Sequence, residues 1–133
     1  MGLKDMLSKA GEAAAALGDL SGEKIGEKIK EGITEYKKAI SVLEAIGLTV
    51  GSFRIGMGVL PEIHTSLVGS IENIREDRVQ SMIGEHKGED LLVALLKALL
   101  WARWGWEHLE LKVTTVTLHV TLGVSPNIAA EVH

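Results

Sequence analysis

The sequence predicts an α+β domain of two layers, with helices packed on one face of an antiparallel sheet. It also predicts a pseudo-duplicated helix–strand unit and an extra N-terminal helix. Three observations carry that expectation. Residues 48–68 and 111–132 alternate between apolar and polar side chains, the period of a strand with one buried face. Each stretch follows one with helical apolar spacing, at 23–46 and 89–109. The only two prolines sit in matching phrases, Gly58-Val59-Leu60-Pro61-Glu62-Ile63 and Gly123-Val124-Ser125-Pro126-Asn127-Ile128, 65 residues apart (126 − 61 = 65).

The elements follow in order. Residues 1–20 hold a short amphipathic helix, with Leu3, Met6, Leu7, Ala10, Ala14 and Leu17 at helical spacing. Gly18 to Gly22 breaks it, and Asp19 or Ser21 is placed to cap the next helix. The first unit, 23–68, opens with a helix whose stripe is Ile25, Ile29, Ile33, Tyr36, Ile40, Leu43 and Ile46. Its other face is charged, and like-signed i,i+4 pairs such as Glu27/Glu31 largely offset opposite-signed i,i+3 pairs such as Glu27/Lys30. Gly47 ends it. Phe53, Ile55, Met57, Val59, Ile63 and Leu67 then share one strand parity, whereas Leu48 and Val50 have the other. The switch predicts a bulge at Gly51-Ser52.

A connecting segment, 69–88, carries the weak helical stripe Ile71, Ile74, Val79, Met82 and Ile83, with a turn expected between Gly84 and Gly88. The second unit, 89–133, opens with acids at Glu89 and Asp90, which complement a helix dipole. Leu91 to Trp106 is then apolar almost all round, so that helix needs burial on more than one side. Val116, Leu118, Val120, Leu122, Val124, Ile128, Ala130 and Val132 share the next strand face, with a parity switch expected near Thr114-Thr115. The 65-residue shift pairs Tyr36 with Trp101 and Phe53 with Leu118. Each proline phrase fits either a hairpin turn or a bend in one long strand, because both keep parity.

Composition excludes several functions. With 14 basic residues against 18 acidic ones and a net charge of −4, the chain lacks the cationic surplus that displaces counterions from nucleic acid. It has no cysteine, which removes disulfides, thiolate catalysis and Cys-ligated zinc and predicts a cytoplasmic location. The most apolar window, 91–106, holds Lys97 and Arg103 and falls short of the ~20 residues a membrane span needs. A membrane surface is a rival partner, mildly disfavoured by the acidic balance. None of the five histidines forms a metal-binding pair at helical spacing, and Gly56-x-Gly58 lies within an alternating stretch, so neither a metal nor a cofactor is expected.

Two surfaces remain. On the non-core parity of the strands lie Arg54, Glu62, His64, Thr117, His119 and Thr121, the candidate ligand-binding set. A His, a Glu and an Arg on one face suffice for acid–base work, although a solvated sheet face carries such residues anyway. On the second long helix, Leu96, Leu100, Trp101 and Trp104 are the candidate interface. The leading functional expectation is a non-enzymatic interaction or assembly module that forms a homodimer or larger homo-oligomer. A carrier of an apolar small molecule or lipid, held between sheet and helices, is the first alternative. A small enzyme using the His/Arg/Glu face is the second.

Overall fold

A computed structural model describes residues 23–57, 61–123 and 126–133; the expected helix at 1–20 and its cap lie outside them. Helix α1 (Glu23–Leu43) runs into a 3-10 turn, Glu44–Ile46, and is followed by β1 (Thr49–Met57) and β2 (Pro61–Ser70). A second 3-10 turn, Ile71–Asn73, leads to α2 (Glu76–Glu85) and α3 (Asp90–His108). The chain closes with β3 (Thr115–Leu122) and β4 (Asn127–Val132). The four strands form one antiparallel sheet in the order β1-β2-β3-β4. The expected α+β architecture, helices packed with an antiparallel sheet, is therefore present.

Each proline phrase connects two strands that pair antiparallel, the hairpin alternative rather than one long bent strand. Met57 pairs with Pro61 across the first, and Thr121 with Asn127 across the second. Proline has no N–H to give a ladder, and each stands at or just before the start of its strand, where that absence is tolerated. The register of β1 slips between Val50 and Ser52, so the expected bulge is present. At its centre Gly51 meets Val68: an added Cβ would sit 2.6 Å from Val68 Cγ2, which only glycine avoids. Near Thr114-Thr115 no bulge forms; β3 simply begins at Thr115, and Leu111 and Val113 precede it exposed. Gly47 takes φ 88°, the left-handed conformation that closes a helix, and its N–H bonds to the Glu44 carbonyl. Gly84 lies in the last turn of α2, and the expected turn follows at 86–88, closed by Gly88 with φ 94°.

The core lies between the layers. Ile29, Ile33, Tyr36, Ile40 and Leu43 of α1 and Leu92, Leu95, Leu96 and Leu99 of α3 meet Ile63, Leu67, Leu118 and Val120 of the sheet, all buried. Val79 and Met82 fix α2 to the same core. One polar chain crosses it. The Thr65 hydroxyl donates to the Ser52 carbonyl at the bulge (2.9 Å), so its oxygen accepts from the Tyr36 hydroxyl, 2.9 Å away. Burial pushes the Tyr36 phenol up to about 12, partly offset by the Thr65 bond.

The pairing of Tyr36 with Trp101 does not hold. Tyr36 is fully buried, whereas Trp101 is 68% exposed. Matching the helices by their buried faces instead sets Ile29 against Leu92, Ile33 against Leu96, Tyr36 against Leu99 and Ala39 against Ala102, a shift of 63 (92 − 29 = 63). The strands keep 65, with Phe53 and Leu118 on one face. The helix-to-strand connection is thus two residues longer in the second unit. Two residues are ~200° of helix, so a register carried over from the strands puts each helix residue on the wrong face.

Candidate functional site

Antiparallel pairing brings the non-core residues of four strands into transverse rows. Arg54 lies opposite His64, His64 opposite Thr121, and Thr121 opposite Asn127. In the next row stand Ser52, Ser66, His119 and Ala129. Arg54, Glu62 and His119 are exposed, His64 and Thr121 half-buried, and Thr117 buried. The six expected residues therefore share one face.

They do not form one cluster. Glu62 Oε2 lies 3.2 Å from His64 Nε2, and Thr121 Oγ1 lies 3.3 Å from His64 Nδ1. His119 instead pairs with Glu131 at 3.1 Å, and Thr117 Oγ1 meets His133 Nε2 at 2.7 Å. Ser52 and Ser66 hydroxyls bond each other at 2.7 Å. The first group has the geometry of an oriented base: a carboxylate fixes one imidazole nitrogen as donor, leaving the other to accept from a hydroxyl. The side chains of His64 and Glu62 are 33% and 51% exposed, so water competes for the same protons. His133 was missed by sequence reasoning, although it continues the parity of Asn127, Ala129 and Glu131. Among the described residues no group of three or more His, Asp or Glu is placed to hold a metal ion.

The second surface is on α3. Leu96, expected at an interface, is 0% exposed: it belongs to the chain's own core and can offer nothing to a partner. Leu100 is half-buried. Trp101 and Trp104 are 68% and 52% exposed, edge to face with centroids 5.8 Å apart. The Trp104 ring stacks on His108 at 4.5 Å, and the Trp104 carbonyl lies 2.8 Å from His108 Nδ1. Trp106 turns away, because its indole N–H donates to the Val113 carbonyl (2.7 Å) ahead of β3. Glu76 and Gln80 of α2 form the far wall of a groove of about 430 Å³, with Leu100, Trp101, Trp104 and His108 on the near side. Arg103 ties that groove's base together, bonding Glu107 Oε1 at 2.8 Å and the Ile74 carbonyl. The contribution of α2 was not legible in the sequence, but His108 was, standing four residues beyond Trp104.

No described helix is long and apolar enough to cross a membrane. Compared with protein-family models, with curated proteins and with solved structures, the chain matches none.

Proposed function

We propose that the chain is a non-enzymatic interaction and assembly module that associates with a second copy of itself through the outer side of α3. One observation carries this reading: two adjacent tryptophans, backed by His108, stand exposed on a helix that is apolar nearly all round. Aromatic side chains supply large contact area at little entropic cost and concentrate in interface centres. The same patch on two copies closes a symmetric dimer, the commonest oligomer. A cytoplasmic location and descent of the two helix–hairpin units from one duplicated unit belong to the same reading. Light scattering at micromolar concentration tests it. The wild type should scatter as an oligomer, and Trp104→Glu, alone or with Trp101→Glu, should shift the mass toward one chain without loss of the fold.

The groove supports a second reading, a carrier of an apolar small molecule. Its volume, about 430 Å³, falls in the range of small-molecule sites. It lies on the outer side of α3, against α2. Quenching or shift of Trp101 and Trp104 fluorescence on adding an apolar dye, reversed by Trp104→Glu, is the expected sign.

A further inference from the structure

The two edges of the sheet differ. The β1 edge is interrupted by the bulge at Gly51. The β4 edge is regular, with no proline, bulge or lysine within Asn127–Val132, the devices that usually blunt an edge.

The hydrogen-bond phase of β4 says which groups that edge offers. Thr115 and His133 exchange both backbone bonds, at 3.0 and 2.8 Å. Antiparallel pairs alternate between bonded and non-bonded. Thr117–Glu131, His119–Ala129 and Thr121–Asn127 are therefore the bonded pairs with β3. The N–H and C=O groups of Ile128, Ala130 and Val132 consequently point outward, where the sheet has no further strand among the described residues.

From this we infer that the second copy in the proposed self-association docks by antiparallel pairing of β4 with β4, centred on Ala130. The inference rests on the self-association reading and adds the sheet edge to its interface. Only a register centred on Ala130 uses all three outward residues on each copy. Ala130 then faces Ala130, and Ile128 faces Val132 of the second copy. The match is self-complementary, as a two-fold axis requires. Half-buried Ile128 meets half-buried Val132 on the helix-bearing face, so the apolar row of the core continues through the axis. The four-stranded sheet becomes eight-stranded.

The helix layer permits it. α3 packs on β4 and β3, which puts its axis roughly one strand spacing from the two-fold and the paired α3 axes about 10 Å apart. So close an approach needs small side chains. α2 occupies the α3 flank of Leu100 and Glu107, and the opposite flank carries Ala98 and Gly105, in line with the larger Leu91. An added Cβ at Gly105 meets nothing within 4 Å, and Ala130 is exposed, so among the described residues the flank is open at these positions. Trp101, on the outer side of α3, stands between that flank and the α2 groove.

The cysteine-free sequence makes the register testable. Ala130→Cys, oxidised at micromolar concentration, should form a disulfide-linked dimer in high yield, because facing residues lie within bridging distance. Ala129→Cys, two residues out of register with its own copy, should form far less. Ala130→Pro removes only the outward N–H, twice per dimer, and should weaken association by about 30-fold while β3–β4 pairing persists. If the wild type is a dimer but Ala130→Cys fails to cross-link, or Ala130→Pro leaves the dimer intact, the edge inference is overturned and the self-association reading stands. A wild-type monomer throughout the concentration range overturns both.

Discussion

The two helix–hairpin units perform the same packing task with different outer faces. α1 and α3 each bury one stripe over the sheet, Ile29-Ile33-Tyr36-Ala39 in one and Leu92-Leu96-Leu99-Ala102 in the other. On the shift of 63 that aligns those stripes, Lys38 corresponds to Trp101 and Ser41 to Trp104 (101 − 38 = 104 − 41 = 63). All four are exposed. α1 therefore has a solvated outer face, as a helix on the surface of a monomer should. α3 places two tryptophans where α1 shows that Lys and Ser suffice. Their apolar surface is not required to hold the helix on the sheet, which is why it is read as a surface for association.

The comparison makes the inner faces equivalent, and the largest expected effects lie there. Ile33→Ala and Leu96→Ala should each destabilise the chain by about 2–5 kcal/mol in thermal or denaturant unfolding, since both remove a buried side chain at the same position of the layer. A loss under about 1 kcal/mol at Leu96 would mean that α3 is held by something other than its inner stripe.

Tyr36 distinguishes the units next. Its counterpart Leu99 has no titratable group. The folded phenol titrates at about 12 and the unfolded one near 10. The folded state thus holds the proton more tightly, and its contribution is complete below pH 10 and lost as pH rises toward 12. Denaturant unfolding followed across that window should show a fall in stability of about 2–3 kcal/mol that Tyr36→Phe abolishes. At neutral pH the same change should cost about 1 kcal/mol for the lost bond to Thr65.

The smallest effects belong to the outer sheet face. Arg54→Ala and His119→Ala should each change stability by under about 0.5 kcal/mol, because both side chains are exposed. If the face has a ligand, these variants should weaken its binding while the melting temperature holds. A large stability loss would make them structural.

Much of this was legible in the sequence, for physical reasons that also explain the misses. Strand alternation disclosed the sheet faces, and the opposite parities of Val50 and Phe53 located the bulge, since an extra residue must flip the facing. Hairpin and bend were indistinguishable because both preserve parity across Pro61 and Pro126. Trp101 was matched to buried Tyr36 because a register valid for strands was extended through a connection of different length. Leu96 was placed at an interface because a helix apolar on every side does not announce which side the sheet takes. The groove wall from α2 depends on tertiary packing that the weak Val79-Met82 stripe does not encode. On the outer sheet face, sequence parity collected the right residues, but only the strand register separated Glu62-His64-Thr121 from His119-Glu131.

The central claim is that the outer surface of α3 serves association whereas that of α1 does not. Sedimentation equilibrium near micromolar concentration tests it most directly, on the wild type, on Trp101→Lys/Trp104→Ser, which gives α3 the outer residues of α1, and on Lys38→Glu as the control on α1. The account predicts a wild type at twice the chain mass of 14.3 kDa, a control that remains so, and an exchanged variant that is folded and sediments as a single chain. A wild type at 14.3 kDa, or an exchanged variant that associates as strongly as the wild type, would contradict it.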